Sequence, residues 1–473
     1  MPRIELPIDL GFYESDSLPL AAQECVNLYP ANPQAKNPLT PGALFRTPGI
    51  VLHKFLRNDT LFSVSGGNLY SKTNIATHTL IGPIAGTGRV SMASNALTLC
   101  IIVPGGPGYF WDEVSGLVQI SDVIFTDFQA QLGGVTSVCL KDNRFIFTTN
   151  EEFFLGSNFT TNKGQDFDAL DFEDAESSAD PIVRAMTIKD ELYLLGTESI
   201  ELYQNVGGAS FPYTRIPGAT IEKGIKSRFG IIEFDNSFLF LGQGTSERPA
   251  IWKGVSGGAS KISTSAIDSV IQSYTDAELQ LVTTWTYSQD GGFFAGFNFP
   301  NETFVYDGTA SALQQRPVWH KRTSNGTTWN CEDIVTMFGE VISSSRLDSR
   351  LGLLNRANLD EYGVAIERIF AGGYLVSNGD SLSVSSVELK TKSGFGNTKG
   401  TTGANPFIKL ETSITGASIY NDMGERSLGI DGGYLTRQIW RRMGRVPYSI
   451  VFRFTTSDPI AVDFYQLVVE AKK

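Results

Sequence analysis

Residues 181–205, PIVRAMTIKDELYLLGTESIELYQN, read as three short strands divided by two tight turns. Ile182, Val183, Ala185 and Met186 form the first apolar run, and Lys189, Asp190 and Glu191 the polar turn after it. Leu192, Tyr193, Leu194 and Leu195 follow without a polar break, the pattern of a strand covered on both faces. Gly196 and Thr197 turn the chain into Ile200, Glu201, Leu202 and Tyr203, a strand that ends in an aromatic. A unit of this kind cannot bury its apolar faces alone, so it calls for copies of itself.

The copies are present. A polar turn, a buried run, a glycine-containing turn and an aromatic-bearing strand recur after Asn58-Asp59, Ser94-Asn95, Asp142-Asn143, Asp235-Asn236 and Gln289-Asp290, and more weakly after Phe338-Gly339. Turn positions 58, 95, 142, 190, 235, 290 and 339 are separated by 37, 47, 48, 45, 55 and 49 residues. Periods of about 40 to 50 with several strands per unit mark a β-propeller. The reading is an all-β chain with six good blades and a seventh weaker one. Unrelated hairpins in one large sandwich are the competing arrangement.

Blades pack on their neighbours, so a propeller overrides the estimate of about three domains that a chain of 473 residues would otherwise suggest. Residues 1–48 hold eight prolines and little periodicity, which forbids a helix and favours an extended arm. Leu18, Leu20, Val26, Leu28, Tyr29, Leu44 and Phe45 make that arm too apolar for a solvated linker, so it should lie along its own or a neighbouring subunit. The propeller spans 49–361, with a short helical insertion near 264–280. There Ile267, Val270, Ile271 and Tyr274 share one helical face. From 362 to 473 the sequence alternates apolar and polar residues at period two, as in a separate antiparallel β-sandwich.

Two stretches stand out by charge. Residues 157–180 hold seven acids against one base, Lys163. Asp166 and Asp168 begin a calcium-loop spacing, but Leu170 breaks it and no glycine follows, so an acidic partner-contact loop including Asp171 is the better reading. From Glu425 to Lys473 eight bases face five acids, and Arg437, Arg441, Arg442 and Arg445 are the candidates for contact with an acidic neighbour. A solvated sheet face is the plain alternative. Residues 393–405, SGFGNTKGTTGAN, read as a flexible loop ordered only by a partner.

Chemistry is sparse. Only His53, His78 and His320 exist, none with a second ligand at metal spacing on one element. Cys25, Cys100, Cys139 and Cys331 lie far apart and read as reduced, buried thiols. Gly254-Val255-Ser256-Gly257-Gly258 matches a nucleophile-elbow pattern but sits in a Gly/Ser turn of an all-β array. No cofactor motif occurs. Two halves of a sialidase-type Asp-box, at Ser288–Gly292 and Gly326–Trp329, fall in different repeats. Because acids from different blades can converge, a carbohydrate-binding or glycan-cleaving propeller at the host surface remains the alternative function. The opening PRIELPIDLGFY has no basic and apolar export pattern, and no apolar run reaches membrane-spanning length, so a protein made in a cytoplasm without membrane insertion is expected. The net charge of −12 argues against gripping nucleic acid, though not against letting DNA slide past.

Several stretches together resemble one family. IPGATIEKGIKSRFGIIEFDNSFLFLGQG (216–244), AIWKG (250–254) and ISTSAIDSVIQSY (262–274) are joined by LFRTPGI (44–50), GTGRVSMA (86–93), ADPIVRAMTIKDELYLLG (179–196) and TRQIWRRMGRV (436–446). In order and spacing the chain is similar to the tail nozzle, or packaged-DNA stabilisation, proteins of short-tailed bacteriophages. The resemblance implies a structural virion protein of the tail, not an enzyme, assembled in the host cytoplasm. It also implies a homo-hexamer that continues the DNA channel below the portal and its adaptor, holds a tail needle or plug and meets the tailspike. Double-stranded DNA would then pass through the lumen.

Overall fold

The computed structural model describes residues 3–14, 22–31, 42–52, 60–72, 78–158, 163–175, 180–207, 211–255, 257–337, 339–376, 381–415 and 419–472. Asn58-Asp59, His53, Ser256 and Phe338 lie outside them. The chain divides into two compact units.

The first unit, residues 54–263 and 271–282, is a series of five antiparallel meanders. The deciding stretch forms Ile182–Ile188, Glu191–Gly196 and Ile200–Asn205, and Tyr213–Arg215 completes a four-stranded sheet. Leu192 to Leu195 are all buried, as their unbroken apolar run requires. The other meanders begin at Leu61–Ser65, Ser91–Ser94, Val135–Lys141 and Gly224–Ile225. Their turns explain the repeating polar pairs. Asp142-Asn143 and Asp235-Asn236 each place both residues at positive φ, the two-residue hairpin that matches strand twist. Apolar clusters lie between successive sheets. Ile188, Tyr193 and Leu195, for example, pack with Ile225, Phe238 and Phe240 of the next meander. Such face-to-face stacking of small antiparallel sheets is β-propeller construction.

The second unit, residues 1–53, 264–270 and 283–473, carries two more meanders. One runs Thr283–Gln289, Gly292–Asn298, Thr303–Asp307 and Trp319–Ser324. The other runs Asp333–Met337, Glu340–Ser344 and Leu351–Asn355, and Gly49–Leu52 from the N-terminal segment supplies its fourth strand. The C-terminal strands form the two sheets of the sandwich, Leu382–Thr391, Gln438–Val446 and Phe464–Lys472 in one, Arg368–Val376, Phe407–Ser413, Asn421–Ser427 and Ser449–Thr456 in the other.

The described part of residues 1–48 lies extended along its own chain: Arg3–Leu6 pairs with Phe464–Lys472, Ala22–Val26 with Arg368–Val376, and Ala43–Arg46 with Leu28–Ala31 and Phe464–Lys472. Val26, Leu28, Tyr29 and Leu44 are buried there and Phe45 is half-buried, while Leu18 and Leu20 lie outside the described residues. The expectation of a loop for the acidic stretch is corrected by the structure, because Asp166–Asp174 is the fourth strand of its meander. Residues 393–405 hold their own shape: Asn397 donates its side-chain amide to the carbonyls of Thr402 (2.7 Å) and Pro459 (3.0 Å). The helical insertion resolves into Ser265–Ile271 and Asp276–Leu279, the latter opened by a Thr275/Glu278 capping box. Helices Val123–Gln131 and Gly308–Gln314 carried no signal in the reading above. Among the described residues no helix is long and apolar enough to cross a membrane.

Candidate assembly surfaces

Strand Gln438–Val446 ends its sheet, pairing only with Leu382–Thr391 among the described residues. Alternation should send every second side chain outward. Arg442 breaks it by adopting φ 61°, and Gly444 adopts φ 90°. In consequence Arg441, Arg442 and Arg445 are all exposed while Trp440 and Val446 remain buried. Arg445 donates to Ser381 Oγ at 2.6 Å. Arg437, at the strand's entrance, is differently placed. Its Nε and Nη2 donate to Glu388 Oε1 and Oε2 at 2.7 and 2.8 Å, and that fork holds the Glu388 carboxyl below its usual range. A cleft of about 250 Å³ beside it is lined by Arg3, Ser386, Glu388, Arg437, Arg441 and Glu470. Arg3 pairs with Glu470 there at 3.0 Å.

Strand Asp166–Asp174 likewise ends its sheet, pairing only with Phe153–Asn158 among the described residues. Asp168 and Asp174 are exposed, and Asp166 is half-buried. Asp171 is committed elsewhere: it is buried and accepts from Arg144 Nη1 at 3.0 Å. Asp166 and Asp168 sit in extended backbone, not in a ligand loop. Sequence reading missed Phe172, which is 41% exposed between these acids, and the aromatic corner where Phe395 meets Tyr434 at 5.8 Å beside the 95% exposed Leu435. Phe172 sits in a strand disguised by its acids, and aromatics on glycine-rich turns such as Phe395 and Tyr434 leave no periodic signal.

The residues weighed for chemistry have structural occupations. Asp290 sits at φ 49° in a hairpin turn and accepts from Arg356 Nη1 at 3.1 Å. Trp329, from the other half of the Asp-box resemblance, is buried beneath Arg322, whose guanidinium carbon lies 3.6 Å from the ring centroid. His320 is fully buried between Tyr29 and Phe294. Burial raises the thiols of Cys25, Cys100, Cys139 and Cys331 above their ordinary range, and all four are unpaired.

Comparison with known proteins yields two family matches in series. Residues 4–358 match the family described as "Bacteriophage P22 Gp10, beta-propeller", and residues 367–472 match "Bacteriophage P22 Gp10, beta-sandwich". Among curated proteins the chain is 27% identical over 270 residues to "Tail hub protein gp10" of Salmonella phage P22. That alignment covers 55% of this chain and 55% of the relative, so the chain spans about half the length of the curated relative it matches. Among solved structures, the WD40 β-propeller domain of Doa1 is similar at 10% identity, over 67% of this chain and 90% of that one, with a TM-score of 0.37. BamB from Moraxella catarrhalis is similar at 9% identity, over 64% and 97%, with a TM-score of 0.33.

Proposed function

We propose that this chain, which belongs to the bacteriophage P22 Gp10 family, is a structural protein of a short phage tail that forms the nozzle of the DNA channel. The observation that carries the proposal is the pair of family matches, propeller then sandwich, together reaching from residue 4 to residue 472. In this reading copies of the chain form a hexameric ring below the portal and its adaptor. The ring retains the packaged genome with the help of a tail needle or plug, meets the tailspike, and opens a passage for DNA at ejection. The chain acts by shape and charge and not by chemistry.

Its part in ejection is passive. With a net charge of −12, acidic residues facing the lumen would repel phosphate and keep DNA from adhering as it slides. A lumen lined by lysine and arginine in the assembled ring would overturn that mechanism.

The deciding experiment uses DNA-filled heads from a phage strain lacking this chain. Adding the purified chain should yield heads that carry it in six copies and that keep their DNA inaccessible to nuclease. Heads that hold their genome equally well without it, or a chain that ignores them and instead binds or hydrolyses host polysaccharide, would refute the nozzle reading.

A further inference from the structure

We infer that neighbouring copies of this chain join head to tail, the basic strand Gln438–Val446 of one copy docking on the acidic strand Asp166–Asp174 of the next. The inference deepens the proposed ring assembly and rests on that reading. Both strands are nine residues long and terminate their sheets among the described residues. Asp166–Asp174 contains five acids and no base. Gln438–Val446 contains three arginines and no acid. Arg441 and Arg442 are exposed, and among the described residues neither pairs with a carboxylate, whereas nearby Arg437 and Arg3 both do. Uncompensated cations on a chain of net charge −12 need an anionic surface, and the chain carries one of matching length.

Charge on an edge strand ordinarily serves to prevent association with other edges. Here the signs differ between the two edges, and that decides the geometry. Two acidic strands repel, and two basic strands repel, so neither edge supports a two-fold dimer. Only the crossed pairing is attractive. A contact that uses two different surfaces is heterologous, and repeated copies of it close a ring or run on as a filament.

The docking is through side chains and not by adding one strand to the other's ladder. Positive φ at Arg442 and Gly444 interrupts the basic edge, and the Ile439 carbonyl already accepts from Arg426 Nε at 2.9 Å. The guanidinium groups of Arg441 and Arg442 would meet the carboxylates of Asp168 and Asp174, with the exposed Phe172 ring offering a face for stacking.

A charge-swap set on the full chain tests this, with self-association measured by sedimentation across a range of salt. R441E/R442E and D168R/D174R should each weaken association roughly tenfold or more, because like charges now oppose one another. The quadruple variant should recover it, and so should an equimolar mixture of the two double variants, since each then offers the other one attractive contact. All four altered positions in that mixture are exposed, and circular dichroism checks that the monomers fold. A wild-type chain that stays monomeric at low salt up to its solubility limit would overturn the inference. So would double variants that associate normally, or a quadruple variant that fails to recover. Variants that self-associate normally but no longer join filled heads would overturn it while leaving the nozzle reading intact, and would assign the arginines to a different tail protein. A wild-type chain that associates as inferred yet never joins heads would refute the nozzle reading alone.

Discussion

Asp463 receives Nη1 of Arg46 on both carboxylate oxygens, at 3.0 and 2.9 Å, joining residues 417 positions apart. The Arg46 backbone N–H and Arg356 Nη2 also donate to Oδ1, at 3.2 and 3.0 Å. One buried carboxylate thus holds the N-terminal segment, the end of the last meander and the final sandwich strand within one unit. Replacing it with alanine leaves the Arg46 guanidinium in a poorly solvated place without its counter-charge and leaves Arg356 with Asp290 alone. Asp463→Ala should lower unfolding stability by about 3–5 kcal/mol in denaturant titration. The exposed Asp348–Arg350 pair, 2.7 Å apart, provides the contrast: Asp348→Asn should cost no more than about 1 kcal/mol. Equal effects from both would show that the Asp463 junction does not secure the unit.

His320 presents the opposite situation, a buried polar group whose ring nitrogens have no hydrogen-bond partner among the described residues; the ring lies between Tyr29 and Phe294. Burial pushes its pKa down to about 3, with repulsion from Arg322 adding to the shift. The unfolded chain takes up a proton near the ordinary imidazole range and the folded chain does not, so stability present at neutral pH is lost as pH falls from there towards about 3. His320→Leu, close in volume, removes that proton uptake. Its stability relative to wild type should rise progressively between neutral pH and pH 4, as read from urea midpoints. A constant difference across that range would mean that the imidazole is protonated or solvated in the folded state.

The repeat was legible because its period and turn residues are fixed by backbone geometry. Asp142-Asn143 and Asp235-Asn236 are polar residues able to adopt positive φ, and they mark hairpins wherever they occur between apolar runs. The fourth strand of the last repeat was not legible. Gly49–Leu52 lies some 300 residues from its partner Leu351–Asn355, and no local pattern records so distant a pairing. Strand Asp166–Asp174 was missed for another reason. Its acids lower strand propensity, and only its place at a sheet edge makes them tolerable. Of the charged candidates, composition marked Arg441, Arg442 and Arg437 alike and could not show that the first two are exposed while Glu388 occupies the third. Nor could it tell that Asp171 is buried, since its partner Arg144 sits 27 residues away on another strand.

Gly296 shows where close packing has no slack. It lies opposite Trp285 in the ladder, and a Cβ placed on it would stand 2.1 Å from Trp285 Cζ2. The indole cannot retreat, because it is fully buried, donates from Nε1 to Asn298 Oδ1 at 3.1 Å and meets Trp329 edge-on at 4.9 Å. Gly296→Ala should therefore destabilise by about 1–3 kcal/mol and alter tryptophan fluorescence. Gly258, also in a strand, has no atom of the described residues within 4 Å of where a Cβ would stand, and Gly258→Ala should be neutral or slightly stabilising. If both substitutions were silent in guanidinium unfolding, the Trp285 site would have to be looser than its neighbours allow.

Asp307 carries a pH dependence of the opposite sense to that of His320. Its carboxylate caps helix Gly308–Gln314, accepting from the Ala310 N–H at 2.8 Å, yet it is almost entirely buried. Burial dominates and raises its pKa to about 7, while the backbone hydrogen bonds from Ala310 and Thr309 pull the other way. An acid whose folded pKa lies above its unfolded value favours the fold at low pH and loses that contribution as pH rises towards about 7. Asparagine keeps the capping oxygen and carries no charge. Asp307→Asn should thus match wild type near pH 4 and exceed it in stability at pH 8 by on the order of a few kcal/mol. The measurement is a series of urea midpoints at fixed ionic strength. A wild-type advantage that grows with pH would instead show that the ionised carboxylate is the favoured cap, and that its hydrogen bonds outweigh the cost of burying it.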